Sequence, residues 1–297
     1  MKKKQKVPLG ASLVILSSAF YASYGIWTKL MGNYFGGYTA SSLRSILILV
    51  ILLPIAIRYK KLGNFKLMTT WPYWFGLTGF SFFIWGPLYF AILHAGIGLS
   101  ISINYALYII GMFIFGRLFA NEKFTLDKFI AAVLGLIGVG LLFAHSVSNV
   151  GWLAVGAAAL SGFCAAGVTF SAKMIPYKTT QTTISLWTAS AIANTIMIFF
   201  VHEKVPSLAS GKEWIYLLLF AVASIVASWC LIRGLKLIDA GAAGILGLSE
   251  IVFGVLFGIL FFSEHINRIE LLGIIIIISA AAIPYINEHI AQNKKLI

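Results

Sequence analysis

The chain has 297 residues, of which 60% are apolar and only 10% are charged, and its mean hydropathy is +0.94. A soluble globular domain carries about 45–50% apolar and about 25% charged residues. The composition therefore excludes a soluble domain, a disordered chain and a nucleic-acid-binding module. Cys164 and Cys230 both lie inside apolar runs, too few and too deep for a disulfide framework. These features predict a polytopic membrane protein.

Apolar runs long enough to cross a bilayer follow one another along the sequence. A spanning helix needs about 20 apolar residues, and a backbone surrounded by lipid must satisfy its own polar groups, which favours helices. The segments between the runs are short, so no extramembrane catalytic domain is expected. The sequence predicts ten transmembrane helices, at residues 9–31, 38–57, 73–95, 97–116, 126–144, 151–173, 182–201, 214–235, 240–262 and 270–287.

The basic residues predict the orientation and explain the formal net charge of +13. Lys and Arg concentrate in cytoplasmic segments. With the N-terminus inside, seventeen of the 22 Lys and Arg residues fall in inner segments, and Arg44 lies within the second span. The outer segments hold only Lys29, Lys204, Lys212 and Arg268. Both termini are therefore expected in the cytoplasm.

Two basic residues lie in the first two predicted spans. Arg44 is six residues inside the outer start of its span, about 9 Å deep at a rise of 1.5 Å per residue. From there its side chain can snorkel to the interface. Lys29, near the outer end of the first span, is expected to do the same. We interpret both as structural charges.

The third and fourth spans carry aromatic and amide side chains on shared faces. Pro87 is expected to kink the third span, and such interruptions often mark cavity walls. Trp85 and Tyr89 lie one turn apart there, as do Asn104 and Tyr108 on the fourth span. These four are candidate substrate-binding residues. The alternative is that they face lipid or pack the bundle.

Similar candidates follow in the seventh and eighth spans. Trp187 and Asn194 share a face two turns apart, and Trp229 occupies a deep position beside Ser228. An acid among aromatic walls would suit a cationic or zwitterionic amine, through charge pairing and cation–π contacts. The same structural alternative applies to each of these residues.

Glu250 lies about halfway along the ninth span. A charged group at that depth costs at least ~2.5–3.5 kcal/mol on insertion scales and is a functional candidate by default. Its helix face also carries Gly254 and Gly258, a spacing suited to close helix contact, so Glu250 is expected to face the protein. It is a candidate for proton coupling and for binding a substrate ammonium. The alternative is a buried acid that holds two helices together.

The sequence contains two similar halves. An offset of 142 residues aligns Gly116 with Gly258 and Glu122 with Glu264. Both acids close a span near basic residues, so we expect structural roles in capping and pairing. The halves are residues 1–148 and 149–297, with five spans each. Because five is odd, the second half should be inverted, as in many secondary transporters that bind substrate between two repeats.

Two segments of the first half carry family patterns. Small and aromatic residues precede a lysine in the first span, in Ala22-Ser-Tyr-Gly-Ile-Trp-Thr-Lys29. The second span has one arginine near its outer end, in Ser41-Ser-Leu-Arg44. With the order of the spans, these patterns resemble the EamA family of the drug/metabolite transporter superfamily, in its ten-helix form.

The ninth span extends this resemblance, with Glu250 and a second glutamate, Glu264, fourteen residues later. The family pattern has a proline after the first glutamate, where this chain has Ile251. In the first repeat, Tyr108 and Ile109 replace both residues. The resemblance implies an all-α integral membrane protein with ten transmembrane helices, arranged as two inverted five-helix repeats with both termini inside.

The expected function is secondary transport of a small organic metabolite, an amino acid or related amine, by alternating access and in the direction of export. No G-x-x-x-x-G-K-[ST] loop is present to couple transport to ATP, and no cofactor or metal is expected. Lipid-linked sugar or nucleotide-sugar transport is an alternative on the same fold. A membrane-embedded enzyme is the alternative of another class, although no polar catalytic cluster lies at either interface. The expected location is a bacterial inner membrane. The expected partners are the lipid bilayer and a small-molecule substrate, and no nucleic acid. A homodimer and a monomer are both open alternatives.

Overall fold

A computed structural model describes residues 3–32, 34–63, 65, 67–95, 97–123, 125–142, 151–206, 211–263 and 265–294. Across these residues, all regular secondary structure is helical. The helices are α1 (Lys3–Ala22), α2 (Tyr24–Met31), α3 (Gly37–Arg58), α4 (Leu67–Ser81), α5 (Trp85–Ala95), α6 (Ile97–Ala120), α7 (Leu126–Leu142), α8 (Trp152–Met174), α9 (Thr179–Val201), α10 (Lys212–Leu235), α11 (Ala240–Gly247), α12 (Ser249–Phe262) and α13 (Arg268–Lys294).

Three predicted spans are each divided into two helices. Ser23 separates α1 from α2, residues 82–84 separate α4 from α5, and Leu248 separates α11 from α12. The break in the third span comes before Pro87, not at it. Pro87 lies in the first turn of α5, where backbone N–H groups have no helical partner and a missing one is tolerated.

Eight helical segments are long and apolar enough to cross a membrane, when each divided span is counted once. They are α1–α2, α3, α4–α5, α6, α8, α9, α10 and α11–α12. Together with the many large apolar side chains exposed on the surface, these segments show that this is an integral membrane protein. The remaining helices, α7 and α13, lie in the positions of the fifth and tenth predicted spans, and their crossing of the membrane stays a prediction.

The main helix contacts join the two halves of the chain. α6 packs along α8, α1 along α10, α3 along α9 and α7 along α13. Each segment can be compared with the segment at the same position in the other half. The third segment, α4–α5, contacts α8, and its counterpart α10 contacts α1 and α2. The fourth segment, α6, contacts α8, and its counterpart α11–α12 contacts α1. The contact pattern is therefore nearly unchanged when the five segments of one half are exchanged with those of the other.

Glycine permits the close contact between α7 and α13. A Cβ atom added at Gly138 would lie 2.8 Å from the carbonyl oxygen of Gly273, and one added at Gly273 would lie 2.6 Å from that of Gly138. Neither backbone can give way easily, so the α7–α13 contact requires the small residue on both sides. Close approach through small residues is how helices pack where lipid surrounds them.

Hydroxyl groups connect α3 to α9 inside the bundle. The Ser42 and Thr195 hydroxyl oxygens are 2.6 Å apart, and the Ser45 hydroxyl donates to that of Ser190 at 3.0 Å. These contacts satisfy polar groups that have no access to water. They hold α3 at a fixed register on α9, and α3 is the helix that carries Arg44.

Candidate substrate site

Arg44 lies inside the helix bundle, with only 3% of its surface exposed. Four aromatic rings surround its guanidinium and come from four different helices, α2, α5, α9 and α10. We call this arrangement the aromatic box. The distances from the guanidinium carbon to the ring centroids are 4.3 Å to Phe220, 5.1 Å to Trp85, 5.2 Å to Trp187 and 5.7 Å to Tyr24.

Helix breaks and ring contacts position the aromatic box. Tyr24 and Trp85 are the first residues of α2 and α5, directly after the breaks in the first and third spans. Their rings stack with centroids 5.3 Å apart and an interplanar angle of 19°. Phe220 meets Tyr24 edge-on at 5.0 Å. The Trp187 indole is fixed by a hydrogen bond of 2.9 Å from its Nε1 to the hydroxyl of Ser228.

The structure corrects the expectation that Arg44 snorkels to the interface. Its side chain stays within the bundle, since each ring of the box can contribute about 0.5–2 kcal/mol of cation–π attraction. Among the described residues, however, no carboxylate lies within ion-pair distance of Arg44, and its Nε is buried without a hydrogen-bond partner. Within the part of the chain that the structure describes, the box therefore holds a cation without a neighbouring carboxylate.

Glu250 lies in the first turn of α12, directly after the break at Leu248. This is the end of a helix at which the backbone dipole favours a negative charge. Glu250 is partly buried, and the hydroxyl of Tyr105 hydrogen-bonds to its carboxylate. Tyr108 and Tyr21 lie within electrostatic range. The carboxylate thus faces tyrosines from α6 and α1.

Tyr21 connects the surroundings of Glu250 to those of Arg44. Its phenol lies within electrostatic range of both groups. The two charges do not form an ion pair with each other in the part of the chain that the structure describes. A basic group and an acidic group therefore both act electrostatically on one tyrosine of α1.

The remaining candidate residues fall into two groups. Asn104 donates to the Ser161 hydroxyl at 2.9 Å, which links α6 to α8, and Asn194 is fully buried and donates to the Ser190 carbonyl at 2.7 Å. Tyr89 and Trp229 are 54% and 43% exposed, so neither is packed in the core. Of the eight substrate candidates, the structure brings Trp85 and Trp187 together at Arg44 and places Tyr108 near Glu250.

Sequence reasoning missed four aromatic residues of this region. They are Tyr21, Tyr24, Tyr105 and Phe220. The first two are three residues apart, as are Tyr105 and Tyr108, and this spacing places side chains on one helix face. That signal was present in the sequence for the tyrosines. Phe220 is one of 23 phenylalanines and carries no comparable signal.

A charge cluster lies where α6 ends and α11 begins. We define it as Glu122, Lys128, Lys173 and Asp239. Glu122 accepts hydrogen bonds from the Ala240 backbone N–H at 2.8 and 2.9 Å, so it caps α11 from the other half of the chain. It also pairs with Lys173 at 3.0 Å, and Lys128 pairs with Asp239 at 2.5 Å.

Other charged residues contact helix ends. The Lys29 ammonium lies 4.4 Å from the centroid of the Phe262 ring. Glu203 accepts a hydrogen bond of 2.8 Å from the Thr39 hydroxyl at the start of α3. Lys236, just past the end of α10, donates to the Thr182 hydroxyl at 2.9 Å and to a backbone carbonyl. Burial, with a smaller effect of Arg233, lowers the pKa of Lys236 to about 8. Glu264 lies outside the described residues.

A cavity of about 440 Å³ lies between α1, the α11–α12 segment and α13. Its lining is almost entirely apolar and includes Ile15, Phe253 and Ile278, with Ser12 and Ser249 as polar members. Neither Arg44 nor Glu250 lines it. The cavity is therefore separate from the aromatic box.

Comparisons with known proteins identify the class of this membrane protein. The model of the EamA-like transporter family matches residues 8–144 and, a second time, residues 152–285. The chain therefore belongs to the EamA-like transporter family, and its two matches confirm the two-repeat architecture.

Among solved structures, one crystal structure of a protein has a TM-score of 0.77 at 15% sequence identity. The match covers 95% of this chain and 96% of that chain, and it shows that the fold is shared. Among curated proteins, none matches the sequence significantly.

Proposed function

We propose that this protein is a secondary transporter of a small organic metabolite, an amino acid or related amine. The observation that carries the proposal is Glu250, an acid inside the bundle at the start of α12, with Tyr105, Tyr108 and Tyr21 within electrostatic range. A carboxylate attracts a substrate ammonium, and aromatic faces add cation–π contacts. Helix breaks within the membrane are typical of transporter binding sites.

Alternating access is the mechanism that we propose for this transport. The halves 1–148 and 149–297 would be inverted repeats that rock against each other around the site. The exchangeable contact pattern of the two halves supports this arrangement. The bias of basic residues supports an orientation with both termini in the cytoplasm and ten membrane crossings. We further propose export as the direction and a bacterial inner membrane as the location.

Transport by purified protein in liposomes tests the proposal. Liposomes loaded with one member of an amino acid and amine panel should take up its labelled form by exchange, whereas protein-free liposomes should not. A pH gradient should be imposed in parallel, since coupling to protons is a separate question. If no member of the panel exchanges or accumulates under either condition, the proposed substrate class is wrong.

Glu250 is the group that we propose to couple transport to protons or to hold the ammonium. Glu250→Gln keeps the size of the side chain and its hydrogen bond to Tyr105, but removes the charge. We expect it to reduce transport about 10-fold or more, because one charge-assisted interaction is lost. Ser249→Ala, at the neighbouring position, is the matched control. Full transport with an unchanged pH dependence in Glu250→Gln would remove this role.

The cavity between α1, α12 and α13 favours a second candidate, the transport of a lipid-linked sugar. Its volume of about 440 Å³ and its apolar lining would accommodate part of a lipid chain. Liposomes with a fluorescent lipid-linked sugar phosphate would show movement between leaflets that depends on the headgroup. Amino acid exchange without such movement would eliminate this candidate.

A further inference from the structure

We infer that Arg44 binds the carboxylate of the transported substrate, so that the substrate is an amino acid rather than a simple amine. The inference rests on the proposed function and deepens it. Its starting point is the aromatic box, in which a guanidinium that is 97% buried faces four rings but no acid among the described residues. A bound anion can supply the counter-charge that a buried cation of this kind lacks.

The contacts of Arg44 leave its hydrogen-bond donors available. A guanidinium has five N–H donors arranged in one plane. Aromatic rings attract its positive charge but are poor hydrogen-bond acceptors, and the nearest ring is Phe220 at 4.3 Å. The Nε is buried without a partner, and no oxygen of the described residues accepts a hydrogen bond from the Arg44 side chain. An ionised carboxylate matches this planar set of donors in both geometry and charge.

The start of α5 favours an anion over a further cation in the box. α5 begins at Trp85, which belongs to the box, directly after the turn at residues 82–84. The start of a helix carries a partial positive charge. This partial charge adds to the charge of Arg44. The local charge balance is therefore positive, and a bound carboxylate would neutralise it.

The position of Glu250 completes the match to an amino acid. Tyr21 lies within electrostatic range of both Arg44 and Glu250, so both charged groups act on the same phenol. A zwitterion can present its carboxylate to Arg44 and its ammonium to Glu250. A simple amine would satisfy only Glu250 and would leave the guanidinium without a counter-charge.

Matched compounds test the inference on the unmodified protein. We would measure the thermal stabilisation and the exchange produced by L-phenylalanine, its carboxamide and phenethylamine, and by the corresponding leucine and lysine series. All members of a series carry the same side chain and an ammonium, but only the amino acid has a carboxylate. We expect the amino acid to bind about 10- to 100-fold more tightly than the amide and the amine of its series.

Variants then assign this preference to Arg44. Arg44→Gln should reduce amino acid affinity to that of the amide and leave amide binding almost unchanged. Arg44→Lys retains the charge but loses the planar donors, so a smaller loss is expected. Lys29→Gln removes the same charge outside the box and should leave the preference intact. Size-exclusion profiles and unfolding temperatures without ligand confirm that each variant is folded.

Each outcome decides a different question. Equal binding of amino acids and amides by the unmodified protein would overturn the inference, even if every variant misfolded, while the proposed function would stand. An amino acid preference that survives in Arg44→Gln would also overturn it. If O-phosphoethanolamine binds more tightly than the amino acids and this binding depends on Arg44, the inference is overturned, because Arg44 then binds a phosphate group of the substrate and not a carboxylate. If no compound is exchanged, the proposed function itself fails.

Discussion

The aromatic box and the charge cluster treat their charges in opposite ways. In the charge cluster, Glu122 and Lys173 form an ion pair at 3.0 Å, and Glu122 also caps α11. In the box, Arg44 is more deeply buried and is surrounded by four aromatic rings, with no carboxylate of the described residues within ion-pair distance. A charge paired within the protein stabilises the fold, whereas one left unpaired is available to a ligand. Whether a charge is paired within the protein therefore distinguishes structural charges from a binding charge better than its depth of burial does.

The largest effect is expected for Glu122→Ala. The substitution removes the cap of α11 and leaves Lys173 without its acid, and both side chains of this pair are only 13% exposed. We expect the free energy of unfolding to fall by about 2–4 kcal/mol, measured as a lower unfolding temperature in detergent. Glu122→Gln keeps an acceptor for the Ala240 N–H and should lose less. An unchanged unfolding temperature in Glu122→Ala would mean that the cluster does not stabilise the fold.

The opposite effect is expected for Arg44→Met. Methionine fills a similar volume without a charge, and replacing a buried charge by an apolar side chain is often neutral or stabilising. We expect an unfolding free energy that is unchanged or higher by up to about 2 kcal/mol, because some cation–π attraction is lost as well. Lys173→Met in the charge cluster is the matched control and should destabilise the protein. A large decrease in the free energy of unfolding of Arg44→Met would show that Arg44 is a structural residue and would contradict the comparison with the charge cluster.

The smallest effect concerns Lys236, a cation that has oxygen acceptors but, among the described residues, no carboxylate within ion-pair distance. Its pKa in the folded protein is about 8, below the value of about 10.4 of an unperturbed lysine. Between these values the unfolded chain binds the proton and the folded protein does not, so stability rises with pH in this window. Screening by solvent reduces the gain to the order of 1 kcal/mol.

The control for this effect is Lys236→Gln. The unfolding temperature of the unmodified protein, relative to that of the variant, should increase between pH 8 and pH 10. A constant difference across this range would show that Lys236 is not desolvated. A decreasing difference would show that it is held by a negative charge.

The sequence was sufficient for the eight helical segments that are long and apolar enough to cross a membrane, since hydropathy and length depend only on local composition. It located the third-span interruption within one turn, because Pro87 marks a helix start as well as a kink. It did not predict the breaks at Ser23 and Leu248, where neither residue is a helix breaker. These breaks depend on packing between helices that are distant in the sequence.

The aromatic box could not be predicted for the same reason. Trp85 and Trp187 were candidates by residue type, but their meeting at Arg44 requires four helices from both halves of the chain. Depth along one helix suggested snorkelling for Arg44, since the neighbouring rings are invisible in a single span. Trp229 looked equivalent to Trp187 in the sequence, although Trp187 is buried and Trp229 is exposed.

The interleaved packing of the two halves has a consequence for biosynthesis. α3 packs along α9, and α6 packs along α8. α7 packs along α13 through a glycine on each helix. When the ribosome has completed the first five segments, their packing faces still lack their partners. Tertiary assembly must therefore wait until the final segments are inserted. Two fragments divided between α7 and α8 should each be degraded when expressed alone and accumulate when expressed together.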